Sequence, residues 1–144
     1  MKIEEMEQKK AVIKPRGCEQ TLMAIKDTME LLSGKWKIQI VGSLMMNRSM
    51  RFMDLIRDVN GIAAKMLSKE LQELEVNELI SRTVKNTKPV TVEYELTEHG
   101  RSLGPLINEV AKWGSLHRNK LFNTSFEPMD LVAASLYVKS EIPG

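Results

Sequence analysis

Apolar residues along the chain fall first into helical spacing and later into strand spacing. Leu22, Ile25, Met29 and Leu32 recur every three or four positions as one stripe of a helix, and Gly34 supplies a residue suited to a left-handed cap. Trp36, Ile40, Val41 and Leu44 mark one face of a second helix. The short polar stretch 47–50 reads as a turn or a minimal strand. Phe52, Leu55, Ile56 and Val59 then follow the i, i+3, i+4, i+7 pattern of a short helix, which Asn60-Gly61 stops. A further helix from about Ala63 to Val76 turns Leu67, Leu71 and Leu74 inward behind Ile62. It carries Lys65, Ser68, Lys69 and Gln72 on another face.

The period then changes. Val90, Val92, Tyr94 and Leu96 alternate with Thr91, Glu93 and Glu95, the pattern of a strand with one buried face. Ile80 to Lys85 reads as its partner, and the polar Asn86-Thr87-Lys88-Pro89 as the hairpin tip. Thr97 is placed to cap a long final helix in which Leu103, Leu106, Ile107, Val110 and Trp113 recur on one side. Gly104-Pro105 marks either a kink in that helix or its true start. Behind Pro128, the spacing of Met129, Val132, Ala133 and Leu136 predicts one more short helix. Helix, helix, short helix, tight turn, helix, hairpin, long helix is the order of a winged helix-turn-helix domain, mainly α with a small β-hairpin wing. The expected division is an N-terminal extension over 1–17, the winged domain with its first and last long helices over 18–119, and a C-terminal extension over 120–144.

Hydrophobic residues at 42% and charged residues at 28% suit a chain that buries a core and stays soluble. The single cysteine excludes an internal disulfide and a cysteine-rich zinc site, and points to a reducing, cytoplasmic compartment. Glu4, Glu5 and Glu7 argue against a secretory signal. The apolar stretch 38–46 is interrupted by Gln39 and falls well short of the ~20 residues that a membrane span needs. No Cys, Asp or Glu repeats at ligand spacing around His99 or His117, so no metal site and no cofactor are expected. Trp36 and Trp113 read as core or interface anchors. The ten methionines read as packing, with a Met-lined effector pocket between subunits as the alternative.

The net charge is only +2, yet the charges are sorted by segment. Arg48, Arg51, Arg57, Lys65 and Lys69 outnumber Asp54 and Asp58. Next come Glu70, Glu73, Glu75 and Glu78 with no cation among them, and then Arg82, Lys85 and Lys88 with no acid. In a winged helix the helix after the turn offers its N-terminal residues to the major groove while the hairpin lies along the backbone. Both basic blocks are therefore expected on one surface, with the glutamates trailing away from phosphate. Ala64, Lys65, Ser68, Lys69 and Gln72 are the candidate reader residues: Ser68 and Gln72 suit base edges, and the lysines suit bases or phosphates. Arg51, Arg82, Lys85, Thr87 and Lys88 are candidates for phosphate or minor-groove contact. The bland alternative is an ordinary solvated helix face.

The sequence closely resembles the HxlR-type bacterial winged-helix transcriptional regulators from about Cys18 to Arg118. The resemblance rests on GKW at Gly34 to Trp36, RF at Arg51-Phe52, GI at Gly61-Ile62 and KMLSKELQELE from Lys65 to Glu75. It continues through LISR at Leu79 to Arg82, VEYELTEHG from Val92 to Gly100 and WG at Trp113-Gly114. It implies a homodimeric DNA-binding regulator whose first and last long helices form the interface, and members often repress genes beside their own. Several sense oxidants, quinones or aldehydes through a cysteine near the start of the first helix, which implies a role for Cys18. Arg16 and a helix N-terminus beside that thiol would favour the thiolate that redox chemistry needs. A sensor thiol and an ordinary cysteine both remain open.

The expected function is therefore a sequence-specific regulator, a repressor, binding a pseudo-palindrome in double-stranded DNA as a dimer with half-sites ~34 Å apart. A small-molecule or oxidant effector is possible, and neither catalysis nor a membrane is required. A winged-helix protein-interaction module would carry an uncharged wing and reader, whereas both are basic here. A thiol enzyme on Cys18 lacks a nearby base, a CxxC partner and a Gly-rich loop.

Overall fold

The computed structural model describes residues 16–141, which divide after Ser33 into two compact units. Residues 1–15 of the expected N-terminal extension and 142–144 of the C-terminal one lie outside the described residues. In the first unit, helix α1 (Cys18–Leu31) starts a turn ahead of its apolar stripe, from Gly17 at φ 84°. Thr21 donates to the Gly17 carbonyl from both its amide and its hydroxyl, at 2.9 Å each. The helix closes when the Leu32 amide bonds the Thr28 carbonyl at 3.0 Å, so it ends before Gly34, which takes its left-handed turn (φ 80°) in the following loop. Leu22, Ile25 and Met29 on α1 are all exposed.

The second unit continues with α2 (Lys37–Met46), β1 (Met50–Arg51), α3 (Phe52–Asp58) and α4 (Ala64–Val76). The hairpin strands β2 (Ile80–Lys85) and β3 (Thr91–Leu96) follow, then α5 (Glu98–Arg101), α6 (Gly104–Phe122) and α7 (Leu131–Glu141). The polar stretch before Phe52 resolves into a minimal strand: Met50 pairs with Tyr94, giving an antiparallel sheet in the order β1-β3-β2. Ile40, Val41 and Leu44 of α2, Leu55 of α3, Ile62, and Leu67, Leu71 and Leu74 of α4 are buried, with Ile80, Tyr94 and Leu96 from the sheet. Each leucine so enclosed stabilises the fold by about 1.5–3 kcal/mol. The turn between α3 and α4 needs Gly61, whose φ of +86° is open to few other residues.

Thr97 does cap a helix, but a short one. Its hydroxyl accepts from the Gly100 amide at 2.9 Å and donates to the Glu78 carbonyl at 2.6 Å, tying α5 to the base of the hairpin. The long helix α6 starts separately at Gly104, with Pro105 in its first turn, where the missing amide costs nothing. Of the apolar stripe expected on α6 only Ile107 is buried; Leu106, Val110 and Trp113 are exposed, Trp113 at 65%. The stripe splits because α6 meets α2 and α7 along its Gly104, Ile107 and Ser115 side. A Cβ at Gly104 would stand 2.8 Å from Val132 and 3.3 Å from Met45, so its absence lets α6 approach both neighbours closely.

The start of α7 is clasped to α6. Asn108 accepts from the Leu131 amide at 2.9 Å and donates to Asp130 at 2.8 Å, while Asp130 accepts from the Ala133 amide at 3.1 Å. Those bonds, the Ala133 amide first and Asn108 next, hold the Asp130 carboxyl below its usual range.

Candidate nucleic-acid interface

Helix α4 follows α3 across the Asn60-Gly61 turn and buries the side that carries Leu67, Glu70, Leu71 and Leu74. That choice of face leaves Ala64, Lys65, Ser68, Lys69 and Gln72 all exposed. Within 4 Å, neither Lys65 nor Lys69 forms an ion pair with any described residue, although Lys69 is near enough to Glu73 to help lower its pKa.

Strand alternation decides which wing residues join them. Arg82 lies opposite Tyr94 and Val84 opposite Val92, so Arg82 belongs to the sheet face that bears Tyr94. There Arg82 and Tyr94 share an open recess of about 370 Å³ with Ser68, Leu71, Gln72 and Glu75 of α4. Arg82 thus joins Ser68 and Gln72 of α4, while neither Lys65 nor Lys69 lines that recess. Lys85 does not line it either. One register step from Val84, it lies on the opposite face and pairs with Glu93 at 2.9 Å, bordering a separate depression with Arg48, Ser49 and Thr83. The hydrogen bond from Lys85, and a second from Ser49 at 3.1 Å, hold the Glu93 carboxyl below its usual range.

At the wing tip Thr87 is occupied internally, donating to the Pro89 carbonyl at 2.8 Å and lying 3.2 Å from the Thr91 hydroxyl, while Lys88 projects into solvent. Arg51 is exposed at the head of α3, where its amide bonds Asp54 at 2.9 Å and Arg57 reaches the same carboxylate at 2.8 Å. Those two contacts, the Arg51 amide first, keep Asp54 ionised to unusually low pH. The stacked rings of Trp113 and His117, 5.0 Å apart, lie on exposed α6, which accounts for the one-turn spacing of that pair.

The acids of α4 hold a surprise for a reading based on charge pattern. Glu70 is buried, and together with Glu73 it grips Lys37 of α2, at 2.6 Å and 2.5 Å from the ammonium. Lys37 is itself only 4% exposed. Burial alone would depress its pKa; the hydrogen bonds to Glu70 and Glu73 outweigh that and raise it. Glu73 is correspondingly lowered by its bond to Lys37. The two glutamates therefore serve as fold anchors that share one ammonium, which offsets one of their two charges, rather than simply as acids facing away from phosphate. Nothing in the one-dimensional pattern singles out Lys37, because a lysine beside Trp36 at a helix start reads as exposed. Glu75 does remain on the reader face, at the rim of the recess with Arg82.

A three-helix core in which a short helix, a tight turn and a second helix lead into a hairpin defines a winged helix-turn-helix protein. A model described as HxlR-like helix-turn-helix matches residues 31–121, and the chain belongs to that family of transcription regulators. The HTH-type transcriptional regulator YdzF of Bacillus subtilis is 45% identical over 87 residues, 60% of this chain and 80% of its own. YtcD of the same organism is 36% identical over 108 residues, 75% of this chain and 85% of its own. Among solved structures, the redox regulator HypR in its reduced form aligns with a TM-score of 0.62 at 34% identity, covering 70% of this chain and 99% of that one. The reduced form of YodB from B. subtilis aligns at 0.58 with 33% identity, covering 64% and 89%. The chain is therefore a DNA-binding regulator of transcription. Among the described residues no helix is long and apolar enough to cross a membrane.

Proposed function

We propose that the chain is a homodimeric repressor that reads base edges with α4 and holds the DNA backbone with the β2–β3 wing. The observation that carries this reading is the shared exposed recess of Ser68, Gln72 and Arg82, on the helix that also bears the unpaired Lys65 and Lys69. Ser68 and Gln72 would address bases; Lys65, Lys69, Arg82, Arg51 and Lys88 would address phosphates, and Ala64 leaves the helix start open to close approach. Residues 18–119 form the operative domain in this reading. Pairing of two copies is supported by the exposed Leu106, Val110, Trp113 and Leu116 on α6, and separately by Leu22, Ile25 and Met29 on α1.

The test is a salt titration of binding to DNA upstream of its own and neighbouring genes, with sedimentation giving two chains per duplex. Lys88→Ala is expected to weaken binding to every sequence alike and to flatten the salt slope by about one. A loss confined to one operator would reassign Lys88 to base readout, and absence of binding at low salt would favour an interaction module.

Cys18, half-buried at the first residue of α1, is proposed as an oxidant-responsive thiol. The likeness to HypR and YodB, both solved in reduced form, supports this. Oxidation to a sulfenate, or to a disulfide with a second copy, would alter the spacing of the two reader helices. Cys18→Ser is expected to abolish release of DNA by diamide; release at the wild-type rate would overturn the assignment.

A further inference from the structure

Helix α7 lies beyond residue 121, where the family match stops, and it walls a recess of about 280 Å³ against α2, β3 and α5. Leu44, Met45, Leu96, Val132 and Leu136 give the recess an apolar lining. Its polar groups are Arg48, Glu95, Arg101 and Ser135. Arg101 lies 3.5 Å from Glu95 and is offset by it, whereas Arg48 has no acid within 4 Å among the described residues. The result is one guanidinium without an acid partner beside a hollow of mixed polar and apolar lining.

Small-molecule sites are typically hollows of about 300 Å³ or more, mostly apolar, with a few polar groups that fix orientation. A guanidinium offers paired N–H donors that match a carboxylate. One cation without an acid partner calls for one negative charge, and the leucine, methionine and valine side chains beside it offer a surface to an apolar body. We propose that this recess binds a small organic monocarboxylate, its carboxylate on Arg48 and its apolar body against Met45, Leu96 and Val132. The assignment is independent of how the chain meets DNA.

Calorimetric titration of the full chain with octanoate tests it. Saturable 1:1 binding is expected with a Kd of about 0.1–1 mM, the range a ten-heavy-atom ligand reaches at moderate efficiency. Octan-1-ol and inorganic phosphate, each lacking one half of the recognition, are expected to bind at least tenfold more weakly. Arg48→Gln, on an exposed loop, should weaken octanoate about tenfold. Ser135→Trp, which fills the recess, should abolish binding while a cooperative thermal melt reports that the fold is kept. Equal affinity for octan-1-ol, unchanged affinity in Arg48→Gln, or no heat with octanoate up to 10-fold above about 1 mM would each overturn the proposal.

Discussion

Lys37→Met is expected to lower the unfolding free energy by about 3–5 kcal/mol, because it strands the Glu70 carboxylate in the core without a counter-charge. Urea denaturation followed by circular dichroism measures the loss. The double variant Lys37→Met/Glu70→Leu should recover most of it, since an apolar pair of similar size removes the need for charge burial. Glu73, nearly half exposed, is left in both variants and can rely on water. If the double variant is no more stable than the single one, the ammonium acts through packing rather than charge.

The same triad shapes the pH dependence of stability. Lys37 has a raised pKa in the fold, so its contribution is complete below the ordinary lysine value of ~10.4 and fades as pH climbs through the folded value. Glu73 has a lowered pKa, so its contribution is complete above the ordinary glutamate value of ~4.3 and fades as pH falls through the folded one. The wild-type melting temperature should therefore drop at both extremes, and Lys37→Met should flatten the alkaline limb in particular.

Gly100→Ala is expected to cost about 3 kcal/mol or more, the upper end for overpacking, because a Cβ there would stand 2.0 Å from the Leu79 carbonyl oxygen. That carbonyl is backbone, held at 3.1 Å by the Thr97 amide, and it cannot swing aside as a side chain could. Relief requires α5 to lift off the hairpin, so DNA affinity should fall along with stability. A thermal melt within a few degrees of wild type would show that the contact relaxes cheaply. The EHG end of the motif that carries the family resemblance is thus explained at Gly100 by close approach of main chain to main chain.

Most of the architecture was legible in the residue pattern because α2 and α4 of the second unit each bury apolar residues at helical spacing. Ile80 to Lys85 emerges as a strand with the expected ends, and Leu67, Leu71 and Leu74 as the inner stripe of α4. The pattern misled where two neighbours compete for one helix. On α6 a single apolar stripe was expected, but Ile107 turns inward while Trp113 stays outside, a split that depends on where α7 docks. Thr97 caps the four-residue α5 rather than the long helix expected of it, and of the two readings of Gly104-Pro105 the structure takes the second, the true start of α6.

At the candidate interface, exposure of the reader face followed from helical geometry alone. The division between Arg82 and Lys85 did not, because it depends on strand register, and one step of register exchanges the faces of a sheet. The Lys37 triad was invisible for a related reason: a charge run records composition along the chain, while neutralisation across helices α2 and α4 is a tertiary event.

Helix α4 keeps its scaffold duties and its outward chemistry on separate sides. Leu67, Glu70, Leu71 and Leu74 are committed to the interior, whereas Ala64, Lys65, Ser68, Lys69 and Gln72 are exposed. Where α4 reads DNA as proposed, a regulator built this way could diverge in operator preference after gene duplication by drifting at the outward positions while the buried side is kept. The same separation makes α4 a practical cassette for grafting one relative's target choice onto another's framework.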